Sequence, residues 1–479
     1  MRQGQHVHFI GIGGIGMSGI ARVLLEMGWK VSGSDLRSSS ITGGLEEMGA
    51  RIYVGHRAEN VTEAEVVVLS SAIPNENPEV QEAKRLGLKL VQRSEMLAFL
   101  MRQKFGIAIA GTHGKTTTTS MVAKVLEHAS LRPTVIIGGE VNDMGSNARL
   151  GGGYHLVAEA DESDASFIHL EPKIAIVTNM DADVNLSAEP FRDVGFDTEK
   201  TMARVKEMFE TFVNRVPEDG RLILCWDHER VRELAQKVDR PVISYGFHPE
   251  ADLTIKDLKL DGLKCVGEVF YRGTGLGIMQ LNVPGRHNVS NALAAIAVGI
   301  ELGIPAGDIL NALAKYEGVQ RRFQILGATG GVTVVDDYAH NPQKVAAALH
   351  AAKTAVAKSG GRVVAVFQPH RYTRTKFLFE EFTSCFGESD VLLVTDIYSA
   401  GEPPILGLRV ENLIDEIGKR SPQVDVHHTP KEADVIRRLT SVCRPGDLVI
   451  TLGAGDVGRW GSRFLLHGQN EHLASKAVI

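Results

Sequence analysis

The residues Gly111-Thr112-His113-Gly114-Lys115-Thr116 have the types that phosphate chemistry needs. Gly111 and Gly114 leave the main chain room to wrap N–H groups around phosphate oxygens. Lys115 adds a point charge near the terminal phosphates, and the Thr116 hydroxyl suits a Mg²⁺ ion. The apolar run Phe105-Gly106-Ile107-Ala108-Ile109-Ala110 comes before, and a helical pattern over 117–129 comes after. Strand, glycine turn, Gly-Lys-Thr and helix in this order read as a phosphate loop, shorter than the usual GxxxxGK[ST] spacing. The expected ligand is ATP with Mg²⁺, its phosphates lined by Gly111, Thr112, His113, Gly114, Lys115, Thr116 and Thr117.

Such a loop needs a metal carboxylate from a neighbouring strand. Glu159 ends the run Leu156-Val157-Ala158 and leads into Ala160-Asp161-Glu162-Ser163-Asp164. Ligands of open α/β sheets sit at the carboxyl ends of strands, where this acidic cluster falls. Thr116 and Glu159 are therefore the expected metal ligands.

A second glycine loop stands near the start. Gly11-Ile12-Gly13-Gly14-Ile15-Gly16 fits GxGxxG, follows a strand pattern and opens a helical one. Asp35, at the end of the next strand pattern, stands where a ribose-binding acid would. Backbone N–H groups and a helix N-terminus favour any diphosphate, so the motif alone leaves NAD and another nucleotide equally open.

These loops need strands and helices to hold them. Strand patterns recur at Val7-His8-Phe9-Ile10, Trp29-Lys30-Val31-Ser32-Gly33, Arg51-Ile52-Tyr53-Val54 and Val66-Val67-Val68-Leu69-Ser70, with helical spacing over 17–27 and a short helix suggested at 45–48. A new unit begins near Lys104, with strands at 105–110, 134–137, 156–159 and 174–177, β-hairpins over 252–281 and a small-residue helix over 288–302. A third follows Tyr316-Glu317-Gly318, with strands at 332–335, 363–366, 391–394 and 448–451. The alternation predicts three α/β domains in series, at 1–103, 104–318 and 319–479.

The composition agrees, with 43% hydrophobic and 23% charged residues, as in a globular protein. A net charge of -6 gives no reason to expect nucleic acid or an anionic membrane as partner. Cys225, Cys265, Cys385 and Cys443 are too scattered for a zinc cluster or disulfide framework. Met1-Arg2-Gln3-Gly4-Gln5-His6 leads into a strand pattern rather than a leader, and no apolar run nears the roughly 18 residues of a spanning helix. A cytoplasmic protein, monomeric or weakly dimeric, is expected.

Together the GxGxxG loop, Gly111-Thr112-His113-Gly114-Lys115-Thr116-Thr117-Thr118-Thr119 and Ala158-Glu159-Ala160-Asp161-Glu162-Ser163-Asp164 resemble the Mur ligases of peptidoglycan synthesis. So do Val335-Asp336-Asp337-Tyr338-Ala339-His340-Asn341-Pro342, Phe367-Gln368-Pro369-His370-Arg371-Tyr372-Thr373-Arg374-Thr375, Ala400-Gly401-Glu402-Pro403-Pro404-Ile405 and Gly453-Ala454-Gly455-Asp456. The resemblance spans nearly the whole chain. It implies a Rossmann-like N-terminal domain for a UDP-sugar, a central P-loop ATPase-type domain with mostly parallel sheet, and a Rossmann-like C-terminal domain for an amino acid. The implied reaction joins L-alanine to the lactyl carboxylate of UDP-N-acetylmuramate through an acyl phosphate, with ATP as the phosphoryl donor and Mg²⁺ as cofactor.

Residue by residue, the resemblance gives catalysis to Lys115, Glu159 and His340. It adds Asn288, Asn291, Arg322 and Asp337 to the ATP site and puts Arg321 with Arg322 at the hinge into the third domain. Gly11, Gly13, Gly14, Gly16 and Asp35 pass to the uridine diphosphate, with Ser70 and Ser71 as second contacts. His370, Arg371 and Arg374 hold the amino acid, and a guanidinium is on its own grounds a good match for a carboxylate.

Two positions depart from the family. Relatives follow the next strand with an acid, a spacer, Asp and a metal-binding His. Here the string is Asn179-Met180-Asp181-Ala182-Asp183-Val184-Asn185, and 186–199 offer no histidine. A second metal is left to Asp183, to water or to weak binding. Asn341 stands where L-alanine-adding members often have a second histidine. Three further readings stay open: a muropeptide-recycling ligase of the family, a catalytically weak nucleotide-binding relative, and a nicotinamide-dependent oxidoreductase. The last leaves Lys115, Glu159 and the C-terminal third without a role.

Overall fold

The structure is a computed structural model that describes residues 4–70, 73–141, 146–161, 166–181, 191, 197–261, 264–357 and 359–476. Its contacts divide it into two compact units. One comprises Met1–Lys256, Glu268–Met279 and Ser290–Tyr316, the other Asp257–Gly267, Gln280–Val289 and Glu317–Ile479.

The first unit opens with a five-stranded sheet in the order Arg51–Val54, Lys30–Asp35, His6–Ile10, Val66–Leu69, Lys89–Gln92, parallel throughout. The second strand runs to Asp35, two residues beyond its sequence pattern, so Asp35 closes it. The helix suggested at 45–48 starts earlier, as Ser40–Glu47, because Ser39 and Thr42 form a reciprocal capping box.

The next sheet is built around Phe105–Ala110, between Ile174–Val177 and His155–Glu159, both parallel to it. Arg221–Cys225 and Val242–Tyr245 continue one side in parallel, and Leu253–Asp261, Lys264–Tyr271 and Thr274–Leu281 complete that edge. On the other side Thr134–Val141 runs parallel to His155–Glu159 and pairs antiparallel with Ser146–Arg149. One apolar core joins the two sheets, passing from Phe9, Ile20 and Leu24 through Ile136 and Ala148 to Ala158, Phe167 and Phe209.

The second unit holds a six-stranded sheet in the order Gln324–Thr329, Val332–Asp337, Leu448–Leu452, Val363–Phe367, Val391–Val394, Asp425–His428. Only its first pair is antiparallel. Both faces are covered, by clusters around Phe367 and Leu349 on one side and Trp460 and Phe464 on the other. Among the described residues no helix is long and apolar enough to cross a membrane.

Candidate active site

The strand Phe105–Ala110 and the helix Lys115–His128 leave only 111–114 to turn the chain. Gly111 and Gly114 make the turn at φ +136° and +82°. A Cβ at Gly111 would lie 2.0 Å from Thr178 Oγ1, and one at Gly114 2.6 Å from Asn291 Oδ1. Both conformation and space thus demand glycine. No described side chain caps the helix, so its first N–H groups face the loop, where they suit an anion. The Lys115 ammonium lies over the turn and donates to the Gly111 carbonyl at 2.7 Å.

Residues after the adjacent strand Ile174–Val177 strap the loop from the side. Thr178 donates its hydroxyl to the His113 carbonyl at 2.6 Å. Asn179 accepts from the His113 N–H at 2.7 Å and donates to the His113 carbonyl at 3.0 Å. The Asp181 N–H donates to the Thr112 hydroxyl at 2.8 Å. The Asp181 carboxylate lies 3.6 Å from His113 Nε2 and 3.0 Å from the Arg230 guanidinium. Thr118 donates to Asn291 at 3.2 Å, which brings Asn291 against the loop and its helix, while Asn288 donates to the Pro284 carbonyl at 2.7 Å.

Glu159, the last residue of its strand, accepts from the Thr116 hydroxyl at 3.0 and 3.2 Å. It also accepts from the Gly138 N–H at 2.8 Å. A hydroxyl and a carboxylate at the phosphate end of the loop fit Mg²⁺, which takes hard oxygen ligands and is usually held by one or two carboxylates with phosphates and water. Thr116 and Glu159 are the described residues that would hold it.

In the first sheet the glycine loop closes on protein oxygens. The Gly11 and Ile12 N–H groups both donate to the Ser34 carbonyl, at 2.8 and 3.0 Å, and the Gly13 N–H donates to Asp35 Oδ2 at 2.9 Å. Gly14 ends the turn and precedes the helix Ile15–Glu26, and Gly16 packs on Arg93. Ser70 accepts from the Ile73 N–H through its carbonyl.

Beneath this loop lies a buried carboxylate. Glu79 accepts from the Ser34 hydroxyl at 2.6 Å and from the Asn60 amide at 2.5 Å, and it lies 2.9 Å from His56 Nδ1 and 3.7 Å from His8 Nε2. Its side chain and that of His8 are fully buried. Burial alone would push its carboxyl up; the nearby His8 imidazole and the hydrogen bonds from Ser34 and Asn60 outweigh this and hold it at about 2.

In the second unit, Asp337 ends its strand and grips the turn before it. Its carboxylate accepts from the Phe323 and Ala339 N–H groups, both at 2.7 Å. Desolvation pushes this carboxyl up to about 6, against the pull of the Arg322 guanidinium and those two donors. Arg321 and Arg322 stack their guanidinium groups on the Tyr338 ring, and the Tyr338 carbonyl lies 2.7 Å from His340 Nδ1. His370 stacks flat on Tyr398 at 5.5 Å, lies 6.2 Å from the His340 ring and accepts from Arg374 at 3.1 Å. Burial, with Arg374 and Arg371 beside it, pushes the His370 imidazole down to about 4. Arg371 holds φ +71° at the start of the helix Tyr372–Phe377, and Glu402 braces the same turn through the Thr373 N–H and hydroxyl. Arg371 Nε is buried with no hydrogen-bond partner among the described residues.

Sequence reasoning named the loops and Glu159 but missed Thr178, Asn179, Arg230, Gly138 and Glu79. The first two were findable, being polar residues that end an apolar strand beside the phosphate-loop strand, the rule that found Glu159. Ser71, Glu162, Ser163, Asp164, Asp183, Val184 and Asn185 lie outside the described residues.

A phosphate loop with its carboxylate and a second glycine loop, all at the ends of mostly parallel strands, define a nucleotide-using α/β enzyme. Three family models match in chain order: the Mur ligase family catalytic domain over 6–105, the Mur ligase middle domain over 109–299, and the Mur ligase glutamate ligase domain over 321–455. The chain belongs to the Mur ligase family. It is similar to the UDP-N-acetylmuramate–L-alanine ligase of Anaeromyxobacter dehalogenans, at 50% identity over 96% of this chain and 97% of that one. The enzyme of the same name from Sorangium cellulosum is 49% identical over 95% and 94%. Among solved structures, the UDP-N-acetylmuramate–alanine ligase of Thermotoga maritima matches with a TM-score of 0.79 at 28% identity, covering 98% of this chain and all of that one.

Proposed function

We propose that this chain joins L-alanine to the lactyl carboxylate of UDP-N-acetylmuramate, with ATP converted to ADP and phosphate. The observation that carries the reading is the near-50% identity, over almost the full length, to ligases of that name. In this reading 1–103 holds the sugar nucleotide, 104–318 holds ATP and 319–479 holds the amino acid. The protein works in the cytoplasm as a monomer or weak dimer.

The lactyl carboxylate attacks the γ-phosphorus, the bond to the ADP oxygen breaks, and an acyl phosphate forms. The alanine amine then adds to the acyl carbon, and the tetrahedral intermediate collapses by expelling phosphate and losing a proton. Moving a phosphoryl group between two anions needs fixed positive charge and donors at the transferred oxygens. The Lys115 ammonium and the N–H groups opening the helix Lys115–His128 supply these. Thr116 and Glu159 would hold Mg²⁺, which when bound offsets charge on the phosphates. Arg371 and Arg374 pair with the alanine carboxylate; the buried, unpartnered Nε of Arg371 supports this. His370, held neutral well below the usual histidine range, adds no charge of its own. Asp337 and Arg322 orient the nucleotide, and His340 works beside them.

The test is ADP release with each substrate omitted in turn and across amino acids. Turnover is expected only with UDP-N-acetylmuramate and an amino acid together, and fastest with L-alanine. Equal turnover across amino acids, or none with alanine, would sink the assignment.

A further inference from the structure

The helix that begins at the first glycine loop and the carboxylate that serves the second meet at one hairpin, Thr134–Val141 with Ser146–Arg149. Asn147, nine-tenths buried, donates its amide to the Ile15 carbonyl at 2.6 Å and to the Ser18 hydroxyl at 3.1 Å. Both acceptors lie in the first turn of the helix Ile15–Glu26. One turn on, a Cβ at Gly19 would meet Ala148 at 3.3 Å, Asn147 at 3.4 Å and Ile136 at 3.5 Å, so helix and hairpin are in close contact. The far end is tied as well, the Leu150 N–H donating to Glu26 at 2.6 Å.

Across the hairpin Ala148 pairs with Ile136. Two residues further along that strand, the Gly138 N–H grips Glu159, which accepts from Thr116 of the phosphate loop. A path thus runs from Ile15 to Asn147, through its chain neighbour Ala148 across the strand pairing to Ile136, and along that strand to Gly138, Glu159 and Thr116. A second link runs beside them: Arg93 lies under Gly16 and reaches Asp161, two residues past Glu159, at 3.9 Å.

We propose that this hairpin is a brace that makes ligand binding on the two glycine loops mutually dependent, with Asn147 and Gly19 as its positioning residues. The proposal rests on the reading of the first loop as the sugar-nucleotide site and the second as the ATP site. A carboxylate held from one loop must reach a phosphorus held on the other to within about 3–3.5 Å, so the protein has to set the distance between loops. Either ligand draws on groups at one end of a path built from short hydrogen bonds and tight packing. A shift at one end is therefore felt at the other, and the coupling is reciprocal.

The test is calorimetry of UDP-N-acetylmuramate binding with and without the β,γ-imido analogue of ATP plus Mg²⁺, and of the analogue with and without the sugar nucleotide. In the wild-type chain each ligand is expected to tighten the other by the same factor, at least about 5-fold. Asn147→Ala, which cuts the tie, and Gly19→Val, which wedges helix from hairpin, should bind each ligand alone as the wild type does while the coupling factor falls towards one. No coupling in the wild type, or undiminished coupling in both variants, would overturn the brace. So would loss of each ligand's own binding in both variants, because the contacts would then serve the loops and not the link. A wild-type chain that binds neither ligand would instead bring down the functional reading, and the brace with it.

Discussion

The two glycine loops of the first unit share a plan and differ in what surrounds them. Each follows a parallel strand, turns on a positive-φ glycine and opens a helix that no described side chain caps. The first contains neither lysine nor threonine, and its N–H groups close on Ser34, Asp35 and Gly11. The second carries Lys115 and Thr116 and faces Glu159. With its N–H donors taken, what the first loop offers a diphosphate is the uncapped backbone end of the helix Ile15–Glu26. Moving a phosphoryl group takes charge aimed where charge develops. The foundations differ too: a buried carboxylate, Glu79, lies under the first loop, and Thr118, Thr178, Asn179 and Asn291 support the second, with the Asp181–Arg230 pair at its edge.

The largest effect that would sharpen this contrast is at Lys115. Lys115→Met keeps the side-chain bulk and removes the charge. Its kcat in the ADP-release assay should fall on the order of 10²–10³-fold, as when one transition-state donor is lost. The KM for UDP-N-acetylmuramate should hold. A variant that mainly raised that KM would break the division of labour between the loops.

Next in size is the buried carboxylate. Glu79 sits at about 2 in the folded chain against 4.5 for an ordinary glutamate. A depressed carboxylate stabilises the fold fully above pH 4.5, and that contribution drains away as pH falls towards 2. Glu79→Gln removes it at neutral pH, at a cost on the order of 3 kcal/mol. Hydrogen exchange locates the loss. Amides of His6–Ile10 and Lys30–Asp35 should lose protection in Glu79→Gln while those of Phe105–Ala110 keep theirs. Equal loss in both sheets would mean that the foundations are not separate.

Much of this was legible because it is local. A strand, a glycine turn and a helix start are neighbours in sequence, so both loops announced themselves, and Glu159 followed from its place at a strand end. The Glu79 cluster has no such spacing. His8, Ser34, His56, Asn60 and Glu79 come from different elements and meet only when Lys30–Asp35 pairs beside His6–Ile10. The strand Ser146–Arg149 was missed because it is short and polar and owes its form to pairing with Thr134–Val141. Arg230 reaches Asp181 across 49 positions that no pattern joins. Periodicity sees one element's face; it does not see which faces meet.

The smallest effect concerns Asp35, and it decides what the first loop's acid is for. As a GxGxxG acid it was expected to take a ribose hydroxyl, yet its Oδ2 accepts the Gly13 N–H at 2.9 Å. A negative charge beside a diphosphate is unfavourable in either role, so what a turn-fixing acid supplies is the bond to Gly13 and not the charge. Two substitutions separate the roles. Asp35→Ala frees the Gly13 N–H and loosens the turn, and the KM for UDP-N-acetylmuramate should rise about 10-fold, the worth of roughly one hydrogen bond. Asp35→Asn keeps an acceptor oxygen for Gly13 and removes the charge, so that KM should stay level or fall. Neither change should move kcat, because the phosphoryl chemistry belongs to the other loop. If Asp35→Asn proves as damaging as Asp35→Ala, the charge itself is being used on the ligand. The first loop would then resemble the second in needing an ionised partner, and the contrast between recognition by backbone and catalysis by charge would have to be redrawn.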